Sequence, residues 1–133
     1  MIKHKEILNF LENEGLEEID EIEYNKDIFV YNFFYTFDEA EIEAAKEYAN
    51  ENCDAESTED EWNEEFYLPY LTDIAADNVR DIVDDICEEF GLFGEFVAYE
   101  MDMGSSERCE FTVVFAKEGI EFDIDEIMEK LEL

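Results

Sequence analysis

Basic residues are scarce: 8 Lys and Arg stand against 41 Asp and Glu in 133 residues, a formal charge of -33 with the single His neutral. A chain this acidic repels phosphate, which excludes direct binding to nucleic acid or to an anionic membrane surface by general electrostatics. Proline (one) and glycine (five) are also rare, while 47% of residues are apolar and 15% aromatic. That composition excludes a disordered chain and predicts a domain with a real core. Cys53, Cys87 and Cys109 are odd in number and more than twenty positions apart. They form neither a paired disulfide framework nor a Cys-x-x-Cys zinc or redox motif, so a reducing cytoplasm is the expected compartment. No segment approaches the roughly 18 consecutive apolar residues of a membrane helix. The N-terminal MIKHKEILNFLENEG meets Glu6, Glu12 and Glu14 before an apolar h-region can form, and does not read as a signal peptide.

The apolar pattern predicts one acidic α+β domain over 1–133, in the order α-β-α-α-β-β-α, with a mostly antiparallel three- or four-stranded sheet packed against helices. Ile7, Phe10 and Leu11 keep helical spacing over 3–14, and Gly15 is a natural stop. LEEIDEIEY, 16–24, fits a helical turn as well as an edge strand. IFVYNFFYTF, 28–37, is β-branched or aromatic at nearly every position, with Phe29, Tyr31, Phe33, Tyr35 and Phe37 on one face and Ile28, Val30 and Phe34 on the other. This predicts a central strand covered on both sides. Asp38 with Glu41 has capping-box spacing and starts a helix to about 51, with Ile42, Ala45, Tyr48 and Ala49 inward. A solvated loop, NCDAESTEDE, follows; Thr58 or Asp60 caps the next helix, where Trp62 and Phe66 share a face. Pro69 is expected to break that helix or to sit in a first turn. From Leu71, the series Ile74, Ala75, Val79, Ile82, Ile86 and Phe90 predicts a long helix ending at Gly91. Alternation over 95–103 and 108–117, joined by GSSE, predicts a hairpin. Asp123 with Glu126 then caps a short helix carrying Ile124, Ile127, Met128 and Leu131.

Catalytic chemistry finds little to build on. His4, the one histidine, lies in a terminal segment, a poor place to hold a triad or a metal site. Gly91 and Gly94 are not followed by the Lys-Ser or Lys-Thr of a phosphate loop. Asp123-x-Asp125 and the acidic loop from Asp54 to Glu61 offer hard oxygen ligands without the glycine and terminal bidentate Glu of an EF-hand, so diffuse divalent condensation is expected and no metal or cofactor is assigned. The aromatic series Phe29 to Phe37 could serve as a base-stacking platform, but with only Lys26 nearby to meet phosphate, core packing is the expected role. No enzymatic activity is expected.

The charge is uneven. From Glu47 to Glu107 there are twenty Asp or Glu and one base, Arg80. Asp73, Asp77, Asp81, Asp84 and Glu88 recur at three- and four-residue intervals, which lines carboxylates about 5 to 6 Å apart along one helix face. Each like pair costs a few tenths of a kcal/mol, a cost that interleaved lysines would remove. An ordinary solvated face and a halophilic cytoplasm are the alternatives; the excess of Glu over Asp, with plentiful Ile, Phe and Asn, fits an AT-rich mesophile better than a halophile.

In size and charge alone, with no shared motif, the chain resembles the small nucleic-acid-mimicking inhibitors of phages and mobile elements, the anti-restriction and anti-CRISPR proteins. The resemblance implies a stoichiometric inhibitor that occupies the basic groove of a nucleic-acid-handling protein, a nuclease or CRISPR-type effector. The expected contact set is Asp73, Asp77, Asp81, Asp84 and Glu88, extended by Glu56, Glu59, Asp60, Glu61, Glu64 and Glu65. Trp62 and Tyr67 are candidate apolar anchors, with the core as the other place for Trp62. An acidic immunity protein neutralising a basic nuclease toxin fits nearly as well, as does an acidic regulatory module without mimicry.

Overall fold

The computed structural model describes residues 4–54, 56–101 and 107–133, His4 through its backbone alone. The architecture is α+β: a four-stranded antiparallel sheet in the order β1-β2-β4-β3, with helices against both faces. Its strands are β1 (Glu17–Asn25), β2 (Ile28–Thr36), β3 (Leu92–Ala98) and β4 (Arg108–Lys117). The helices are α1 (His4–Asn13), α2 (Glu39–Asn52), the single turn α3 (Glu59–Glu61), α4 (Leu68–Phe90) and α5 (Ile124–Lys130).

Strand β2 runs between β1 and β4 in continuous register with β4 from Ile28↔Ala116 to Thr36↔Arg108. Alternation along it feeds two cores. Phe29, Tyr31 and Phe33, with Phe111, Val113 and Phe115 of β4, lie under α1, α2 and α4; Ile28, Val30, Val114 and Ala116 pack against Ile127 of α5. The aromatic series is therefore buried packing and offers no stacking platform.

The segment 16–24, open between helical turn and edge strand from the sequence, forms the edge strand β1 over Glu17–Asn25. Ile19 joins the helix-side core and Ile22 the α5-side core. An odd separation does this in a strand, where successive side chains alternate faces. Register shifts on either side of Asp20–Ile22, and a φ of 50° at Glu18, mark bulges that bend this edge.

Pro69 takes the second of its two expected places, in the first turn of α4. Helical winding does not break there, because a π-helical segment, Trp62–Tyr67, precedes α4 and the Leu68 N–H reaches the Asn63 carbonyl. The wider turn makes room for a ring that would otherwise strike the carbonyl four residues back. Strand β3 starts at Leu92, before the expected 95, and ends at Ala98, leaving Met101 outside it. Gly91, at φ 67°, ends α4 and turns the chain straight into the strand. Gly94 lies within the strand: a Cβ there would lie 2.9 Å from both Cys87 Sγ and Val83 Cγ1, so only glycine lets β3 approach α4 this closely. Antiparallel pairing of β3 with β4, from Leu92↔Lys117 to Ala98↔Phe111, matches the expected hairpin; Met103 and the first three residues of the expected GSSE connection lie outside the described residues.

Candidate partner-binding surface

Helix α4 presents the carboxylate row. Its buried side consists of Leu68, Leu71, Ala75, Val79, Ile82, Val83 and Ile86. At 3.6 residues per turn, Asp73, Asp77, Asp81, Asp84 and Glu88 fall within an arc of about 80° on the opposite side, and all five are exposed. Residues 73 to 88 span about 22 Å of helix axis. The helix is held in place by its packing on β3 and by a small polar network. Tyr35 of β2 donates to Glu41 of α2 at 2.7 Å, and Asn78 of α4 donates to the Tyr35 oxygen at 2.8 Å. Burial and the adjacent Glu41 carboxylate push the Tyr35 hydroxyl well above the usual phenol range, so it remains a donor.

The row differs from expectation in one respect. Arg80 lies on the same side of α4, 3.3 Å from Asp77 Oδ1, with its guanidinium 5.8 Å from the Phe96 ring centre. Both partners of that ion pair are more than half exposed, so the pair adds little stability. It does reduce the net charge at Asp77. Asp73, Asp81, Asp84 and Glu88 carry the negative field of the face.

The 56–65 segment divides by role. Thr58, one of the two expected caps, accepts from Glu61 N at 3.1 Å. Glu59, Asp60 and Glu61 therefore occupy a first turn, where the helix dipole favours anions and gives them a structural reason to be acidic. Glu56 lies in a loop organised by Asp54, whose Oδ1 accepts from Glu56 N and from Ser57 Oγ. Glu64 and Glu65 extend outward from the π-helical segment. All six carboxylates of this segment are exposed, and α4 differs from it sharply: its last turn holds Glu88 and Glu89 and no base. Negative charge there opposes the helix dipole.

Neither expected anchor is presented as such. Tyr67 is buried, and Trp62 is half-buried, stacked on Tyr67 at 4.9 Å with its indole N–H bonded to Asn50 Oδ1. The large apolar residue most exposed among those described is Phe93, at 58%. Sequence reasoning passed over it because the helix was expected to end at Gly91 and the next strand to start at 95, which left Phe93 outside both.

Sequence reasoning also missed a cleft of about 900 Å³ between the π-helical segment, the start of α4 and the chain leaving β3. It gathers Asp60, Glu64 and Asp73 from the expected set and adds Glu100. Asn63 stands in its wall, 8% exposed, with a carbonyl oxygen that has no hydrogen-bond partner. A buried amide oxygen left without a donor costs about 1–3 kcal/mol. No linear motif marks the cleft, since Glu100 comes from a distant part of the chain.

Among the described residues, no three His, Cys, Asp or Glu converge as a metal site, and no helix is long and apolar enough to cross a membrane. Asp123 spends its carboxylate capping α5, accepting from Asp125 N and Glu126 N. Comparison of the chain with family models, curated proteins and solved structures gave no match.

Proposed function

We infer that the protein is a stoichiometric inhibitor whose carboxylates take the place of nucleic-acid phosphates in the basic groove of a nuclease or another nucleic-acid-handling protein of the CRISPR-effector kind. The observation that carries this reading is the exposed row on α4. Five carboxylates follow one face with a single arginine among them, and the row runs into the negative end of its own helix dipole. Self-repulsion and dipole both oppose that placement, by a few tenths of a kcal/mol per like pair and about 0.3–1 kcal/mol at the terminus. A partner lined with Lys and Arg reverses the sign of both contributions.

One carboxylate per 5 to 6 Å on a single helix is sparser than the roughly 3.4 Å axial spacing of charges along one strand of duplex. The acidic 56–65 segment supplies further charge beyond the N-terminal end of the row. Long-range attraction accelerates encounter, while lasting affinity needs desolvated contacts; Phe93 does not supply them for this face, since it points away from α4, beside Gly119–Phe122.

The experiment is affinity capture from host lysate, followed by washes with duplex DNA or structured RNA and identification of the eluted proteins. The inhibitor reading expects a basic nucleic-acid-handling protein released by nucleic acid. A dedicated toxin that resists the wash supports the immunity reading instead, and an empty column at low salt rejects both.

A further inference from the structure

The sheet has two edges, and they differ. Strand β1 carries carboxylates at five of its nine positions and shifts register on either side of Asp20–Ile22, two devices that discourage another strand from pairing with it. Strand β3 has neither. Its seven residues, LFGEFVA, hold one charge, Glu95, and its pairing with β4 runs without a bulge from Leu92 to Ala98. The bond from the Tyr99 N–H to the Glu110 carbonyl sets the phase of that ladder. In an antiparallel pair, residues that exchange hydrogen bonds alternate with residues that do not. Phe93, Glu95 and Val97 therefore bond to β4, while Gly94, Phe96 and Ala98 direct their N–H and C=O groups outward. Among the described residues, nothing hydrogen-bonds to that outer side.

We propose that the open edge of β3 accepts an extended segment of the partner as a further strand, antiparallel to β3, with Lys or Arg at alternate positions and apolar residues between them. The edge stands on the geometry above; the basic occupant rests on the inhibitor reading, and charge complementarity argues for it. Positions 94, 96 and 98 lie on the α4 side of the strand, as the closeness of Gly94 to Cys87 and Val83 shows. Carboxylates of α4 flank them there. Asp84 adds to the rise that burial causes in the Cys87 thiol, and Asp73 lines one cleft with Ala98 and Tyr99. Arg80 stands between the two over the Phe96 ring, with Asp77 paired to it. Basic side chains of an added strand thus meet Asp84 toward one end and Asp73 toward the other. The residues between them fall on the opposite face, beside the exposed Phe93 and the half-buried Val97. Main-chain hydrogen bonds along the edge and alternating side-chain contacts supply the lasting affinity that the carboxylate row lacks. A second copy of this chain is the poorer occupant, because pairing β3 with β3 sets two charges of -33 side by side with both α4 helices on one face.

The test uses the full chain labelled with nitrogen-15, in about 0.15 M NaCl, where exposed charges more than about 8 Å apart are screened. The probe is a capped peptide of alternating lysine and valine with the seven-residue length of β3. In the free chain, the amide protons of Gly94, Phe96 and Ala98 should exchange faster than those of Phe93, Glu95 and Val97. The peptide should give saturable shifts centred on Gly94, Phe96 and Ala98, and at about ten times its Kd should slow their exchange about tenfold. Two further peptides keep every side chain and charge and differ only in where N-methyl groups replace main-chain N–H. In antiparallel pairing the lysine N–H groups face β3 and the valine N–H groups face away. Methylation at the lysines should weaken binding at least about tenfold, and methylation at the valines should not. Ala98→Pro, at an exposed position whose N–H points outward and so tolerates proline, should weaken binding several-fold with an unchanged circular dichroism spectrum. Asp73→Asn/Asp84→Asn should also weaken it several-fold. Equal binding of the two methylated peptides would show attraction by charge alone, and no saturable binding up to about 1 mM peptide would show a closed edge; either overturns the proposal. A dimer in about 1 M NaCl that Ala98→Pro abolishes would give the edge to a second copy and overturn it as well. If the peptide fails while a basic nucleic-acid-handling protein is still captured and released by nucleic acid, the edge proposal falls and the inhibitor reading stands. If the peptide adds to β3 and no such protein is captured, the edge site stands and the inhibitor reading falls.

Discussion

Gly94→Ala tests how tightly β3 is set against α4, the contact that fixes the acidic helix to the sheet. In an ordinary strand the change is favourable, because glycine is less stable than alanine in a strand interior by about 0.5–1 kcal/mol. Here the new methyl would lie 2.9 Å from Cys87 Sγ, 2.9 Å from Val83 Cγ1 and 3.0 Å from Phe115 Cδ1. Val83 is β-branched and cannot rotate away cheaply. Phe115 is buried in the main core. Relief must come from a shift of β3 or α4, and overpacking of this kind costs about 1–3 kcal/mol. The contact outweighs the intrinsic gain, giving a net loss of about 1–2 kcal/mol and a melting temperature lower by roughly 3–8 °C for a chain of this size. Urea is the denaturant of choice, since guanidinium chloride would screen the charge as it unfolds the protein. Cys87→Ala in the same background removes one of the three contacts and should recover part of the loss, so the two substitutions should couple favourably in a double-mutant cycle. A neutral or stabilised Gly94→Ala variant would refute the close approach and the reason given for glycine at this position.

Screening should stabilise the protein. The neighbouring like pairs Asp73/Asp77, Asp77/Asp81, Asp81/Asp84 and Asp84/Glu88 together repel by about 1 kcal/mol, and raising NaCl from about 0.1 to about 1 M shortens the Debye length from about 10 to about 3 Å. The urea midpoint should rise by roughly 0.5 M, and by less in Asp81→Asn/Asp84→Asn; a salt-independent midpoint would contradict the charge argument. Alkali should destabilise it. Burial, helped by Asp84 at Cys87 and by Glu110 at Cys109, pushes each thiol from 9.0 to about 11. The folded state therefore keeps them protonated where the unfolded chain ionises. Their contribution is complete below pH 9 and is lost as pH rises from 9 to about 11. Urea midpoints across that window should fall, less steeply in Cys109→Ala, and a flat profile would show that the thiols are not shielded.

Much of the fold was legible because its strongest signals are local. The two-faced apolar run at Ile28–Thr36, the capping box at Asp38 and Glu41, and the long apolar series ending at Gly91 each appear where the pattern placed them. What the pattern missed depends on tertiary contact. The spacing of Ile19 and Ile22 is ambiguous until a strand is seen to serve a core on each side. Gly94 stands before the alternation that marks the strand until α4 is seen against it, and Pro69 leaves a break and a first turn both open until the π turn admits it. The candidate surface divides in the same way. Intervals of three and four suffice to align the carboxylates of α4. They do not show Arg80 pairing with Asp77, Tyr67 turned inward, Phe93 exposed, or Glu100 brought across to Asn63.

The central claim is that the α4 carboxylates make the contact. Its most direct test is competition binding, with the captured nucleic-acid-handling protein on its own labelled nucleic acid and either the wild-type chain or Asp81→Lys/Asp84→Lys/Glu88→Lys as competitor. Asp77 is left unchanged because Arg80 already offsets it. The account predicts stoichiometric displacement by the wild-type chain and none by the variant, with both giving the same circular dichroism spectrum. Displacement by a folded variant as effective as the wild type would show that the row is only a solvated face.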